Sequence, residues 1–295
     1  MAKTFPFGLS DMGTIRAPYG HILVAGGTGA GKSSFWWTAL NGVKTVHGTV
    51  FFLDSKGESF ALKGKQVKPL NFAYLYEDYL QIIETVEKIL EVRKSSPLNQ
   101  NENAFEVFPP VFLFIDEYTN FSTMLVDNNS HVDKVSRGKM QNALGNILRE
   151  GRSLNVFVYG AGQDTEKLTT YGRDKFMFIS AMKLSANDRQ TLKDKELAEI
   201  NQQIYKPGTF TVRDIETNEV VLGKHPWASS QEFKSLLREF ILDELPSAIP
   251  DGLVPEPFCE RCGATLSSEQ ATCPECGYDL SSAIDGGEPS ETERR

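Results

Sequence analysis

Eight consecutive residues, Gly26-Gly27-Thr28-Gly29-Ala30-Gly31-Lys32-Ser33, fit the pattern G-x-x-x-x-G-K-[ST]. Residues of these types at this spacing bind phosphate. Glycines let backbone N–H groups wrap the anion, where a Cβ would stand in the way. Lys32 is placed to reach the β- and γ-phosphates and the Ser33 hydroxyl to hold magnesium, while Ser34 continues the loop into the segment behind it. Residues 21–25 before the loop read as a short apolar strand, and residues 33–40 after it as a helix. The N-terminus of that helix adds partial positive charge where the phosphates would lie. The pattern and its context imply ATP with magnesium.

A second constellation follows a buried strand. Val111–Ile115 is wholly apolar and ends in Asp116-Glu117. In an open parallel sheet, ligands gather at the carboxyl ends of strands. Asp116 is suited to hold magnesium, directly or through water. Glu117 is suited to orient and deprotonate an attacking water. Alone, the pair reads as a solvated acidic turn; beside the loop at Gly26 it reads as the other half of an ATP-hydrolysing site. The adjacent glutamate favours hydrolysis over passing the phosphate to a metabolite.

A third group is separate. All four cysteines lie at 259, 262, 273 and 276, as Cys259-Glu260-Arg261-Cys262-Gly263 and Cys273-Pro274-Glu275-Cys276-Gly277. Two C-x2-C pairs at this spacing form a closed, tetrahedral and structural zinc site. In so short a module the metal supplies most of the folding free energy. Residues 258–280 hold one basic and four acidic residues besides the thiolates, which favours docking to a protein partner over gripping phosphate.

The elements that must position these groups alternate along the chain. Strands are expected at 21–25, 49–53, 111–115, 156–160 and 176–180, with helices at 33–40, 76–94, 133–150 and 229–242. Residues 209–215 and 219–222 read as a hairpin joined through Glu216, Thr217 and Asn218. Residues 95–106 read as a polar loop, 120–129 as polar or irregular, and Gly151 as the C-terminal cap of the helix before it. Buried strands alternating with helices predict an α/β fold, a mostly parallel sheet with helices on both faces. The expected organisation is an ATPase domain over 1–245, a proline-rich linker over 246–257, a zinc ribbon over 258–280 and a polar tail over 281–295.

Charge and hydropathy narrow the setting. The net charge of −8 is concentrated in residues 246–295, which carry −7; residues 1–245 are near neutral. Near-neutrality does not advertise nucleic-acid binding, though a ring can concentrate basic residues in a pore. The first twenty residues carry Lys3, Asp11 and Arg16 and no apolar core, unlike a signal peptide. No apolar run approaches a membrane span, so a cytoplasmic location without direct membrane insertion is expected.

Beyond the loop and the acids, Arg149-Glu150-Gly151-Arg152 is followed by an apolar strand and Gln163. Here the chain resembles the motor domain of the FtsK/SpoIIIE DNA translocases, in a wider group of DNA pumps that includes HerA, conjugative coupling ATPases and some viral packaging ATPases. The resemblance runs in order over most of residues 5–240. Pro6-Phe7-Gly8-Leu9 with Gly13, then residues 21–26, resemble the approach to the phosphate loop. Asp54-Ser55-Lys56-Gly57 is similar to the family's Asp-Pro-Lys segment, with serine for proline. Residues 185–192 and Lys206-Pro207-Gly208 are similar to later segments.

The resemblance implies a P-loop NTPase (RecA-like) fold and a homohexameric ring acting on double-stranded DNA, with ATP held between neighbours. It implies that Gln163 senses the γ-phosphate and that Arg152 is an arginine finger acting in the next subunit, with Arg149 as the competing candidate. Septal members carry membrane spans and a winged-helix DNA reader, neither visible here, so a plasmid, integrative element or phage is the expected setting. A viral genome-packaging ATPase and an ATP-dependent scaffold or switch without translocation are the alternatives. Candidate DNA contacts are Arg93 and Lys94, or His131, Lys134, Arg137 and Lys139.

Overall fold

The computed structural model describes residues 4–11, 13–54, 70–96, 98, 107–128, 130–163, 175–176, 178–190, 194–204, 206–213, 218–242 and 244. The expected linker, cysteine module and tail lie outside the described residues. The chain divides into Met1–Ala248 and Ile249–Arg295, and the described elements all belong to the first unit.

The strands are β1 (Thr4–Ser10), β2 (Gly13–Pro18), β3 (Ile22–Ala25), β4 (Thr49–Leu53), β5 (Phe72–Ala73), β6 (Val111–Ile115), β7 (Val156–Gly162), β8 (Phe178–Met182), β9 (Thr209–Arg213) and β10 (Val220–Lys224). The helices are α1 (Lys32–Thr45), α2 (Tyr76–Ser95), α3 (Tyr118–Val126), α4 (Lys134–Glu150), α5 (Ala186–Gln190), α6 (Lys195–Asn201) and α7 (Ser230–Arg238), with a 3-10 turn at Gly151–Leu154. One sheet holds all ten strands in the order β2-β1-β10-β9-β8-β3-β7-β6-β4-β5. From β8 to β5 the pairing is parallel; from β8 outward through β9, β10, β1 and β2 it is antiparallel.

The parallel part forms because its strands are apolar on both faces. β3, β6 and β7 are buried at every residue, so each needs cover above and below. On one face, Phe35, Trp36, Ala39, Leu40 and Val43 of α1 and Phe233, Leu236 and Leu237 of α7 join Ile22, Val24, Phe52, Phe112, Phe114, Phe157 and Tyr159 in one core. The alternate residues Leu23, Phe51, Leu53, Leu113, Ile115 and Val158 are buried on the other face, where α2, α3 and α4 contact β4 to β7. α2 and α4 run side by side, with Asn146 donating to Glu87 at 2.7 Å and Lys94 paired with Glu150 at 2.6 Å.

Several expectations shift. Residues 120–129 read from the sequence as polar or irregular, yet α3 covers most of them. Its apolar residues Tyr118, Phe121, Met124 and Leu125 keep helical spacing. The hydroxyls between them are satisfied locally, Ser122 and Thr123 both donating to the Thr119 carbonyl at 2.9 Å. Gly151 is the C-terminal cap of α4, as expected, but its backbone is helical rather than left-handed; it leads into the 3-10 turn, where Asn155 at φ 57 makes the stop. A glycine is required there because a Cβ would lie 2.4 Å from the Val156 carbonyl oxygen. The last helix ends at Arg238, started by a capping box between Ser229 and Glu232. The β1–β2 hairpin and the two-residue β5 had no strand prediction.

Two buried histidines set an acid sensitivity. His225 stacks on Phe210 at 4.3 Å and points Nδ1 at the Phe7 carbonyl, 2.9 Å away, which requires a proton on that nitrogen. His21 uses Nδ1 the opposite way, accepting from the Val158 N–H at 2.9 Å. Burial pushes His225 down to about 3. Burial, with Arg152 nearby, pushes His21 down to about 4. Both lie below the unfolded value of 6.5, so the unfolded chain takes up protons first as pH falls. Stability should therefore drop from pH 6.5 towards 4, by about 1.4 kcal/mol per pH unit for each histidine. Urea unfolding at pH 6.5 and 5 checks this: a combined loss of about 3 kcal/mol is expected, and His225→Gln should flatten it by roughly half. A stability unchanged over that window would mean the folded chain binds those protons too.

Candidate nucleotide-binding site

The phosphate loop joins the carboxyl end of β3 to α1. Strand neighbours fix it on both sides: Gly26 N–H donates to the Gly162 carbonyl of β7 at 2.9 Å, and Gly27 N–H to the Lys183 carbonyl just past β8 at 3.2 Å. A third tie comes from the antiparallel wing, where Gly208 N–H donates to the Ala30 carbonyl at 2.7 Å. Gly31, immediately before α1, stands at φ 104, and a Cβ on it would lie 2.2 Å from the Gly208 nitrogen. Only glycine satisfies both the conformation and the approach. The loop thus presents its backbone at the start of a fourteen-residue helix, as anion binding requires.

The acids arrive on β6, two strands from the loop. Asp116 is 2% exposed and Glu117 3% exposed. The Asp116 N–H donates to the Leu53 carbonyl at 2.9 Å, fixing the strand end against β4. Glu117 turns into the left-handed region at φ 53, ψ 43, where the chain breaks from strand to α3. For a residue with a Cβ this conformation costs roughly 1–2 kcal/mol.

Side chains join the parts. Gln163, one residue past β7, donates from Nε2 to Glu117 Oε1 at 2.6 Å. Its Oε1 accepts from the Thr28 hydroxyl of the loop at 3.1 Å. Lys32 Nζ donates to the Gly26 carbonyl at 3.4 Å and stands 3.9 Å from Glu117 Oε1, outside hydrogen-bond reach but within strong Coulomb range. A continuous path therefore runs Thr28–Gln163–Glu117–Lys32. Trp36, one turn along α1 from Lys32, donates from Nε1 to Asp116 Oδ1 at 3.1 Å. Asp54, at the end of β4, is also buried at this edge, its N–H bound to the Ala73 carbonyl.

Other candidates sit elsewhere. Arg152 is exposed on the 3-10 turn, before β7, and Arg149 is exposed on α4 beside Asn146 and Glu150. Both are at the amino end of the sheet, the length of β7 away from the loop of the same chain. Two proposed DNA contacts are buried instead. Arg93 donates to the carbonyls of Leu154, Asn155 and Pro109 and lies over Phe108; burial lowers it to about 10. Arg137 donates to the carbonyls of Val132 and Asp127, tying the α3–α4 connection. Lys94 is paired with Glu150 and His131 faces Glu77 at 3.6 Å, while Lys134 and Lys139 are exposed. The four cysteines lie outside the described residues, and among the described residues no cluster of three His, Cys, Asp or Glu could hold a metal ion. Trp36 and Gly208 were not singled out as site residues. The four-residue offset from Lys32 was the available signal for Trp36; for Gly208 there was only a Pro-Gly turn.

No protein-family model matches the sequence. The chain is 28% identical over 174 residues to the FtsK domain-containing protein YdcQ of Bacillus subtilis (strain 168), covering 57% of this chain and 35% of that protein. Among solved structures, the monomer of the pCW3 conjugation coupling protein TcpA with ATPγS superposes with a TM-score of 0.64 at 16% identity, covering 81% of this chain and 71% of that one. EccC (ATPases 2 and 3) of Thermomonospora curvata gives 0.57 at 13% identity, over 78% of this chain and 41% of that one. EssC (ATPases 2 and 3) of Geobacillus thermodenitrificans gives 0.55 at 15%, over 81% and 49%. The resemblance to FtsK-type P-loop ATPases thus holds in sequence and in fold. No helix among the described residues is long and apolar enough to cross a membrane.

The path through Gln163 predicts a separation of binding from turnover. Gln163→Ala should leave ATP affinity within about threefold of wild type and lower turnover by roughly ten- to a hundredfold. Equilibrium binding of a fluorescent ATP analogue beside steady-state hydrolysis checks it. Equal losses in both would assign Gln163 to ground-state binding.

Proposed function

We propose that the chain is an ATP-hydrolysing motor of the FtsK type that moves double-stranded DNA for a plasmid, an integrative element or a phage. The observation that carries the ATPase part is the Gln163–Glu117 contact at 2.6 Å, continued to Thr28 of the phosphate loop. It ties a candidate base to the element that would hold the nucleotide.

The residues divide the work as follows. Backbone N–H groups of the loop other than those of Gly26 and Gly27, which bind the neighbouring strands, would surround the β-phosphate, and Lys32 would neutralise charge growing between β and γ. Ser33 and Asp116 would hold the magnesium; a hydroxyl and a buried carboxylate are the hard oxygen donors that ion takes. Bound there, it would neutralise phosphate charge. Glu117 aligns a water and accepts its proton. Gln163 holds Glu117 in register with the loop. In the proposed homohexamer, Arg152 of one subunit stabilises transition-state charge in its neighbour's site, Arg149 being the alternative.

The DNA part draws on likeness to an FtsK domain-containing protein and on the fold shared with a conjugation coupling protein. The same fold is shared with a Type VII secretion ATPase, so response to DNA is the deciding measurement. ATP turnover should rise severalfold on adding long double-stranded DNA, and Glu117→Gln should abolish it at both levels. Turnover indifferent to DNA would remove the motor reading and favour a scaffold or a different cargo. A packaging role would be recognised by location at a virion vertex.

For the cysteine module we propose a structural zinc site at Cys259, Cys262, Cys273 and Cys276, serving a protein partner. The support is the paired C-x2-C spacing. Metal analysis of purified protein should find about one zinc per chain, lost on replacing Cys259 and Cys262 by serine. Full occupancy in that variant would refute the assignment.

A further inference from the structure

One helical turn separates Lys32 from Trp36 on α1, so both side chains leave the same face of the helix. That face meets the end of β6, where the two acids are adjacent. Lys32 Nζ stands 3.9 Å from Glu117 Oε1, and Trp36 Nε1 donates to Asp116 Oδ1 at 3.1 Å. Each acid faces its own residue of the helix that carries the phosphate loop. We propose that Trp36 is a positioning residue of the nucleotide site, whose indole N–H fixes the orientation of the Asp116 carboxylate and so its readiness to hold magnesium. The proposal rests on the ATPase reading above.

The bond lies where it has most effect. Trp36 is fully buried and Asp116 nearly so. A hydrogen bond to an ionised group, out of water, is among the stronger ones a side chain makes. The ring cannot swing away from it. It stacks on Phe114 at 4.9 Å and 29°, and contacts Phe35 at 4.7 Å. Phe114 precedes Asp116 by two residues on β6 and so shares its face. Phe114 in turn stacks on Tyr159 of β7 at 5.3 Å and 8°. The donor and the acceptor are therefore held by one aromatic column and one strand.

The chemistry of indole also suits the task. Its N–H donates and cannot accept, so it restrains a carboxylate without competing for a cation. Phenylalanine could also stack on Phe114, though in a smaller volume. What tryptophan adds is the donor at Asp116. The position of the donor also links the acid to the loop: Trp36 moves with α1, and α1 begins at Lys32.

The test uses the full chain and its Trp36→Phe variant, with a fluorescent ATP analogue titrated in EDTA and again across a magnesium series, beside turnover. Trp36→Phe should keep its nucleotide affinity in EDTA within about twofold and raise the magnesium needed for half-maximal affinity by about tenfold. In an Asp116→Asn background the same change should add nothing further. If Trp36→Phe does not fold, benzothienylalanine at position 36 keeps the shape and removes the N–H. An unchanged magnesium midpoint would overturn the proposal. So would equal losses of affinity with and without magnesium, which would mean packing alone. A wild type that binds nucleotide but does not hydrolyse it would sink the ATPase reading and leave the magnesium midpoint to decide on Trp36. A wild type that binds no nucleotide would overturn both.

Discussion

The phosphate loop is hydrogen-bonded to the strand on either side of it, and most of the architecture follows from that constraint. Gly26 reaches the Gly162 carbonyl and Gly27 the Lys183 carbonyl. Both bonds need β3 between β7 and β8, all three parallel and ending at one level. Parallel neighbours need crossover helices, and these cover the sheet. The same arrangement brings Gln163 to the loop from β7 and the two acids from β6. The antiparallel wing takes part as well. Gly208, before β9, closes on Ala30 and Gly31, and the Gly208 carbonyl is held by the His225 N–H at 2.8 Å. The histidine whose burial sets part of the acid sensitivity thus backs the loop.

At the carboxyl edge, two nearly buried acids stand side by side. Carboxylates in such surroundings are costly unless charge or donors reach them. Trp36 donates to one, while Gln163 donates to the other and Lys32 stands near it. The backbone of Glu117 is left-handed where the chain turns from β6 into α3. Its cost of roughly 1–2 kcal/mol is offset by a short hydrogen bond to Gln163 and by the attraction of Lys32. Strain at this residue is an expense of the sharp turn from β6 into α3.

Most of this edge was legible in the sequence because its determinants are local. The loop pattern, the strand ending in Asp116-Glu117 and the strand ending near Gln163 each sit within a few residues. What was not legible depends on distant pairing. α3 was hidden because Asn120, Ser122 and Thr123 dilute its apolar stripe, and their cost disappears only once the hydroxyls bond to the helix itself. β5 is two residues long and exists because β4 offers it an edge. Arg93 and Arg137 carry the same side chain that a DNA contact would. Nothing local tells that each will be buried against backbone carbonyls. Trp36 looked like one aromatic core residue among many, and its partner is eighty residues away.

The amino edge of the sheet is built differently, and the contrast bears on Arg152. There the buried guanidinium of Arg93 binds the carbonyls of Leu154 and Asn155, while Asn155 donates to the Phe108 carbonyl at 2.7 Å. These bonds hold the 3-10 turn that presents Arg152, so the arginine stands on a fixed backbone although its side chain is exposed. β7 spans seven residues from that turn to the loop, about 23 Å at strand rise. An arginine side chain cannot cover that distance within one chain. Any phosphate that Arg152 serves must therefore be bound elsewhere than in the loop of its own chain. The proposed ring would supply such a site in a neighbouring subunit.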